Sequence, residues 1–245
     1  MKLNNSALLI VAAGKSSRFG GYPKALCNIG SKTNVENTIS LAKPYFENIY
    51  LGLNVETKTD IEIDAKVLRI ETGQGDSLSL LKLIRLVKKD NQNIDKLFVC
   101  WGDAYFASSK PFEQFSMNIN NKDNLYVACS LDKNPYAWFD VDENGYINKS
   151  HFKAKDGDIS IGVHDQSLFC FDINVIEKYI NEYKNYIGLV SEDYNPNESK
   201  EAKLLDIFTY LSEKEAVKTI LIDKDNVLSF NTKEELDKII SGHLK

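Results

Sequence analysis

A loop of small residues that carries two basic side chains is the part of the sequence best suited to chemistry. It runs from Gly14 to Gly30 and follows the apolar run Ala7–Ala13. Small residues let the backbone approach a ligand closely, and backbone N–H groups in a turn can surround phosphate oxygens. Arg18 and Lys24 add fixed positive charge to this loop. The loop matches neither the Walker A nor the GxGxxG motif, but it predicts a site for a phosphorylated ligand.

The elements that must position this loop alternate between strand and helix. Ala7–Ala13 is apolar at every position, as in a strand buried on both faces. Open α/β sheets bind ligands at the carboxyl ends of such strands, so the loop stands where a site is expected. Further strands are predicted at 48–53, 66–70, 96–100, 124–130, 168–171 and 216–222. Helices are predicted at 34–45, 77–89, 111–117, 173–186, 202–211 and 233–240. We therefore expect an α/β fold with a mostly parallel twisted sheet flanked by helices.

Residues 132–171 interrupt this alternation. Trp138–Val141 and Tyr146–Asn148 flank Asp142-Glu143-Asn144-Gly145, a combination typical of a β-hairpin and its turn. We expect this segment to be a small inserted hairpin, serving as a lid or acceptor pocket on a single catalytic domain that spans residues 1–245.

Composition excludes several function classes. The 245 residues carry a net charge of −5 and no basic block, which argues against binding to nucleic acid or to a membrane surface. The longest apolar run is too short to span a bilayer and lacks the features of a signal peptide, so a cytoplasmic protein is expected. The four cysteines lie far apart in sequence and are expected to be reduced and buried. A homodimer is an assembly that the sequence leaves open.

The order of residues around the loop resembles the signature of the nucleotidylyltransferases. Ala12-Ala13-Gly14, a pair of small residues, Arg18, an aromatic residue and then Pro23-Lys24 follow that signature, with Ser16 where the family often has a second glycine. Trp101-Gly102-Asp103 is similar to its Gly-Asp after a central strand, and Asn231-Thr232 to its closing motif. The resemblance implies a Rossmann-like fold of the GT-A nucleotidyltransferase type.

The resemblance also implies roles for individual residues. Arg18 would hold the β- and γ-phosphates of a nucleoside triphosphate, and Lys24 would lie at the α-phosphate. Asp103 would bind Mg²⁺, a hard cation that prefers carboxylate and phosphate oxygens, with Asn231 as the second ligand. Lys15 would contact the leaving pyrophosphate. The residues implied in nucleotide binding are Ala12, Ala13, Gly14, Lys15, Ser16, Gln74, Gly75, Asp76 and Ser77.

Several of these residues have an equally simple structural role. Asp103 is also suited to capping a turn, and Asn231 to capping the helix that follows it. Gln74 and Asp76 are also suited to an ordinary loop ahead of a helix. Lys15 could be a solvated surface charge.

The acceptor side is less defined by the sequence. Tyr136 and Trp138 lie in the predicted hairpin and could form an aromatic box for a quaternary ammonium group, or could be core of the hairpin. His151, Lys153, Lys155 and His164 could bind an acceptor phosphate or lie on the surface.

Among these enzymes the chain is most similar to the small bacterial cytidylyltransferases, and most specifically to the CTP:phosphoglutamine cytidylyltransferases of capsule phosphoramidate synthesis. That implies CTP and a phosphorylated small molecule as partners and Mg²⁺ as cofactor. Phosphocholine, methylerythritol phosphate and sugar 1-phosphates remain alternative acceptors. Two other classes are an NDP-sugar-dependent glycosyltransferase and a non-catalytic nucleotide-binding protein. The first usually has Asp-x-Asp, whereas Trp101 stands two residues before Asp103.

Overall fold

The computed structural model describes residues 3, 5–59, 62–120 and 122–243, apart from the side chains of Arg18, Asp225 and His243. The strands are β1 (Ser6–Ala12), β2 (Asn28–Ile29), β3 (Lys32–Thr33), β4 (Asn48–Asn54), β5 (Lys66–Ile70), β6 (Lys96–Trp101), β7 (Ala104–Phe106), β8 (Leu125–Lys133), β9 (Ala137–Val141), β10 (Ile147–Phe152), β11 (Ile161–Asp172), β12 (Val217–Leu221) and β13 (Val227–Ser229). The α-helices are α1 (Asn34–Ala42), α2 (Asp76–Asp90), α3 (Lys110–Asn118), α4 (Lys153–Asp156), α5 (Ile173–Tyr186), α6 (Leu204–Leu211) and α7 (Lys233–His243).

A nine-stranded mixed sheet forms the centre of the fold. Its main path runs β10-β9-β11-β6-β1-β4-β5, and β8 joins β12 to β11. The strands β6, β1, β4 and β5 are parallel, and β11 is antiparallel to β6. Because the chain leaves β1 toward β4 on one side and later returns as β6 on the other, a crevice opens where these strands end.

Burial on both faces of the sheet explains the apolar run in β1. Leu8 and Ile10 pack with α1 and α3, whereas Ala7, Leu9 and Val11 pack with α2, α5 and α6. The predicted α/β fold with helices flanking a parallel sheet is therefore confirmed. Of the predicted elements, the strand at 66–70 and the helix at 173–186 have the predicted limits.

Two kinds of strand escaped prediction. β7 and β13 pair with each other and are three residues each, too short for an alternating pattern to identify. β11 is far longer than the predicted 168–171 because its first half is polar and contains a bulge after Asp165. Pairing with β8, not hydrophobic alternation, makes that half a strand.

The predicted hairpin is present as β9 and β10, paired antiparallel. Phe139 of β9 lies opposite Val163 of β11, so the hairpin extends the main sheet at its edge. α6 packs along β10, where the Ser150 N–H donates to the Thr209 hydroxyl at 2.8 Å. Its service as a lid or acceptor pocket stays a prediction.

The described cysteines are all free and buried, as predicted. Burial raises the pKa of the Cys129 thiol well above its ordinary value. Within the described part of the chain, no helix has both the length and the apolar character needed to cross a membrane.

Candidate active site

A cleft of about 580 Å³ lies at the carboxyl ends of β1 and β6. It is therefore at the crevice where the strand order of the sheet reverses. Predicted site residues from four separate stretches of chain line it: Ala12, Gly14, Lys15, Ser16, Lys24, Gly75, Asp76, Asp103 and Asn231. The sheet thus brings most of the site residues predicted from the sequence to the lining of one cleft.

The loop after β1 forms a tight turn around Ser16. Ser16 has a φ of 47°, in the left-handed region that favours glycine. Its carbonyl accepts the N–H groups of Phe19, at 2.8 Å, and Gly21, at 3.0 Å. The turn that the resemblance assigns to a glycine therefore forms with serine. The predicted role of Arg18 lies outside the described side chains.

Lys24, Asp103 and Asn231 form the charged centre of the cleft. The Lys24 ammonium donates to Asp103 Oδ2, and it donates to Asn231 Oδ1 at 3.2 Å. Asp103 and Asn231 lie 79 and 207 positions after Lys24 in the chain. One ammonium thus has two oxygen acceptors that lie far apart in the sequence.

The turn that carries Asp103 is fixed from below by Asn34. Asn34 is 1% exposed, and its amide donates to the carbonyls of Gly102 and Ala104, both at 3.0 Å. Asn34 is itself placed by Thr33, which caps α1 together with Glu36 in a capping box. Asn34 therefore acts as a positioning residue for Asp103.

Gly102 is required by the close approach of two strand ends. A side chain there would meet the Ala12 Cβ at 2.7 Å, and its own N–H donates to the Val11 carbonyl at 2.9 Å. The Asp103 carbonyl accepts the Phe230 N–H at 3.3 Å, which joins the residue after β13 to the turn after β6. Asn231 follows directly and faces the cleft.

The helix that follows Asn231 is capped by its neighbour. The Thr232 hydroxyl accepts the Glu235 N–H at 3.2 Å, and the Glu235 carboxylate accepts the Thr232 N–H at 3.2 Å. Since Thr232 provides this cap, the Asn231 amide is available for its contact with Lys24. The geometry therefore favours the cleft contact of Asn231 over its alternative role as the helix cap.

In the stretch 72–77, some residues line the cleft and others have side chains buried in the protein interior. Gln74 is 2% exposed; its amide donates to the carbonyls of Glu198 and Lys200 and accepts the Asn195 N–H. The buried Ser77 hydroxyl donates to the Ala202 carbonyl at 2.6 Å. These two side chains hold the segment 188–203 in place and are directed away from the cleft. Ala13 is also buried.

Gly75 and Asp76 form the cleft side of the same stretch. Gly75 has a φ of +105°, and a side chain there would collide with the Ala202 backbone. One oxygen of Asp76 accepts the Leu204 N–H at 2.7 Å and so fixes the start of α6. The carboxylate keeps an open side toward the cleft, but the protein around it desolvates it and raises its pKa to about 6.

Segment 188–203 contributes cleft residues that the sequence did not identify, namely Tyr194, Glu201 and Lys203. The sequence of this segment is polar and irregular, and it gives no indication of where the segment lies in the fold. The Lys15 ammonium is 3.5 Å from the centre of the Tyr194 ring. The ammonium of Lys15, although exposed, therefore has an aromatic partner within the cleft lining.

The predicted aromatic acceptor residues lie outside the described lining of the cleft. Trp138 is 6% exposed and stacks on the His151 ring, with centroids 5.2 Å apart and planes 8° apart. Tyr136 is exposed beside Phe152. His151 itself contacts Asp140 at 2.8 Å. The geometry favours packing of the hairpin over an aromatic box.

Curated proteins that are similar to this chain in sequence include two bifunctional GlmU proteins. A bifunctional protein GlmU from Buchnera aphidicola subsp. Schizaphis graminum is 25% identical over 94% of this chain and 49% of its own length. A second GlmU, from Campylobacter fetus subsp. fetus, is 24% identical over 99% of this chain and 55% of its own. The chain thus spans about half the length of these curated relatives.

Solved structures share the fold. A putative glucose-1-phosphate thymidylyltransferase from Bacillus anthracis matches with a TM-score of 0.72 at 16% identity, covering 97% of this chain and 95% of that one. An inositol-1-phosphate CTP transferase from T. maritima matches with a TM-score of 0.68 at 16% identity, covering 99% and 97%. HddC from Yersinia pseudotuberculosis gives 0.69 at 13% identity, covering 96% and 98%.

Family membership rests on a match of a different kind. Residues 8–152, more than half of the chain, match the model of the MobA-like NTP transferase domain. This stretch includes the loop after β1, Lys24 and Asp103. The chain therefore belongs to the family of proteins with a MobA-like NTP transferase domain.

Proposed function

We propose that the protein transfers CMP from CTP to the phosphate of a small metabolite and releases pyrophosphate. The observation that carries this proposal is the contact of Lys24 with both Asp103 and Asn231 beside the small-residue loop. An oxygen of the acceptor phosphate attacks the α-phosphorus of CTP and forms a new P–O bond. The bond from that phosphorus to the oxygen bridging to the β-phosphate breaks, and this oxygen leaves with the electron pair as part of pyrophosphate.

Charge neutralisation is the main task of such a site, because both reactants are anions. Lys24 is fixed between two oxygens and would stabilise the negative charge that develops at the α-phosphate. The backbone around Ser16, together with Arg18, would hold the β- and γ-phosphates. The acceptor phosphate is already ionised, so no side chain needs to act as its base.

Asp103 and Asn231 fit a divalent cation such as Mg²⁺. A carboxylate oxygen and an amide oxygen both contact a single cationic group, the Lys24 ammonium, so they converge on a centre of positive charge. Hard oxygens of this kind, completed by phosphate oxygens and water, suit Mg²⁺. When bound, Mg²⁺ would supply further positive charge to the phosphates.

The proposed preference for CTP is supported by Asp76. Its carboxylate has an open side toward the cleft, next to the Gly75 backbone. A carboxylate accepts hydrogen bonds, and cytosine offers an exocyclic amino group where uracil offers a carbonyl. Gly14, where an added side chain would meet nothing within 4 Å, also lines the cleft and would let the base approach the backbone.

The acceptor that we propose is glutamine phosphate, in keeping with the sequence resemblance. Glu201 and Lys203 both line the cleft. A carboxylate and an ammonium side chain would match the two charges of an amino-acid acceptor. The alternatives, phosphocholine and sugar 1-phosphates, carry one of these features or neither. Capsule synthesis would be the corresponding biological role, in the cytoplasm.

The test is pyrophosphate release with Mg²⁺, in which the four ribonucleoside triphosphates are crossed with four acceptors. These are glutamine phosphate, phosphocholine, methylerythritol phosphate and glucose 1-phosphate. We expect release with CTP and glutamine phosphate. Release with a different pair would replace the proposed substrates and keep the reaction. Absence of release with every pair would contradict the proposed activity.

A further inference from the structure

Tyr194 presents an aromatic face to the cleft, and that face is covered by Lys15. The Lys15 ammonium lies 3.5 Å from the ring centre, and both residues line the cleft. Tyr194 is 40% exposed, so the ring is neither part of a core nor free on an open surface. A cation above the ring occupies the place that a flat ligand would need for stacking.

The backbone of Tyr194 is fixed to the stretch proposed to contact the base. Its N–H donates to the Thr72 carbonyl at 3.0 Å. On either side, the Gln74 N–H donates to the Glu192 carbonyl at 2.9 Å and the Asn195 N–H donates to Gln74 Oε1 at 2.8 Å. Tyr194 is therefore held beside Gly75 and Asp76, and its ring cannot move far from them.

We propose that Tyr194 is a nucleotide-binding residue whose ring stacks on the base and that, before nucleotide binds, Lys15 covers this ring. This inference rests on the proposed function. The incoming base displaces the ammonium from the ring, and Lys15, which belongs to the phosphate loop, is then free to contact the phosphates. One side chain thus covers an apolar face in the empty cleft and neutralises charge in the filled one.

Magnitudes favour this exchange. An exposed cation–π contact strengthens an equilibrium by roughly twofold to fivefold. Stacking of a base on an aromatic side chain is worth about fivefold to 150-fold in binding. The base therefore gains more from the ring than Lys15 loses, and Lys15 recovers part of its loss at the phosphates.

The experiment compares binding of CTP with binding of inorganic tripolyphosphate, which has no base, by calorimetry on the full chain. Tyr194→Ala should weaken CTP binding about tenfold, because the stacking surface is lost. Tripolyphosphate should bind Tyr194→Ala as tightly as the wild type or more tightly, because Lys15 is no longer held on the ring. Tyr194→Phe keeps the ring and should restore CTP binding relative to Tyr194→Ala.

Tyr186→Ala is the matched control, since Tyr186 is 72% exposed and outside the cleft lining. Melting temperatures of all variants show that each is folded. The inference is overturned if Tyr194→Ala binds CTP like the wild type, or if it weakens CTP and tripolyphosphate equally, which would make Tyr194 only a support for Lys15. A wild-type protein that binds none of the four ribonucleoside triphosphates would instead overturn the proposed function, and this inference with it.

Discussion

The phosphate end of the cleft and the β9–β10 hairpin both contain charged and aromatic residues, but they use them differently. In the cleft, Lys24, Asp103 and Asn231 come from distant parts of the chain and converge on one point. In the hairpin, Trp138 and His151 come from neighbouring strands and their rings stack on each other. Convergence from different elements therefore marks the functional region, and local pairing marks a structural one.

The difference between the two regions follows from the backbone positions of their side chains. Asp103 lies between β6 and β7, and Asn231 comes just after β13, which pairs with β7, so their side chains meet over the cleft. The hairpin residues alternate across paired strands, where facing side chains pack together. Residue type alone does not separate the two cases.

The largest effect that we predict separates two carboxylates, one from each region. Asp103→Asn should lower the turnover number by about a hundredfold to a thousandfold, because the carboxylate that contacts Lys24 and is proposed to hold Mg²⁺ is lost. Asp140→Asn, in the hairpin, should leave the turnover number within about twofold of the wild-type value. Steady-state pyrophosphate release measures both. Equal effects of the two variants would remove the distinction between the regions.

Truncation of the hairpin tryptophan should act on stability alone. Trp138→Ala removes a buried, stacked side chain and should lower the free energy of unfolding by about 3 kcal/mol. Denaturant unfolding measures this change. The KM for the acceptor should stay that of the wild type. A raised acceptor KM with unchanged stability would instead support the aromatic box that the sequence suggested.

The two regions should also differ in how pH affects their carboxyl groups. Desolvation raises the pKa of Asp76 to about 6, so the folded state keeps a proton there that the unfolded chain loses near pH 4. The stabilisation by this proton is complete below pH 4 and is lost as pH rises through 6. In the hairpin region, a hydrogen bond from the Phe152 N–H lowers the pKa of Asp156, so its contribution is lost as pH falls.

Paired variants test this contrast. The melting temperature of Asp76→Asn relative to the wild type should rise from pH 4 to pH 7.5, because the amide has no proton to lose. The relative melting temperature of Asp156→Asn should instead fall as pH rises toward about 4 and should stay nearly constant at higher pH. Parallel pH profiles for the two variants would contradict the assignment of opposite pKa shifts.

The smallest effect that we predict is a change in the free energy of unfolding caused by substitutions in the turn of the phosphate loop. The hairpin turn places Gly145, with a φ of 78°, in the left-handed region, whereas the phosphate loop places Ser16 there. Ser16→Gly should raise the free energy of unfolding by about 0.5 kcal/mol, since relief of strain exceeds the added freedom of the unfolded chain. Ser17→Gly, at a position without positive φ, should lower it. Stabilisation by both variants would show that strain at Ser16 is not the cause.

Sequence patterns predicted the parts of the fold that depend on burial. β1 and α5 have strong apolar patterns, and the structure has them where they were expected. The short strands β7 and β13 were missed because they form through pairing with each other. Their pairing is what brings Asn231 to Asp103, so the sequence indicated both residues but not the contact that joins them.

The parts of the candidate site that could be predicted are the charged residues that follow recognisable backbone elements. Lys24 and Asp103 follow recognisable loops and strands, and both line the cleft. Tyr194 lies in a polar segment without periodicity. The hydrogen bond from its N–H to the Thr72 carbonyl and the bonds of Gln74 to this segment help to bring it to the cleft. Such long-range hydrogen bonds leave no local trace in a sequence.

The most direct test of the account is the rate of pyrophosphate release from CTP and acceptor by Lys24→Met, with Lys32→Met as the control. Lys32 lies nearby in the chain and contacts only the Ser40 hydroxyl among the described hydrogen bonds of its side chain. We predict a rate at least a hundredfold below that of the wild type for Lys24→Met, with an unchanged melting temperature, and a wild-type rate for Lys32→Met. Equal rates for the two variants would contradict the assignment of Lys24, Asp103 and Asn231 as the catalytic centre.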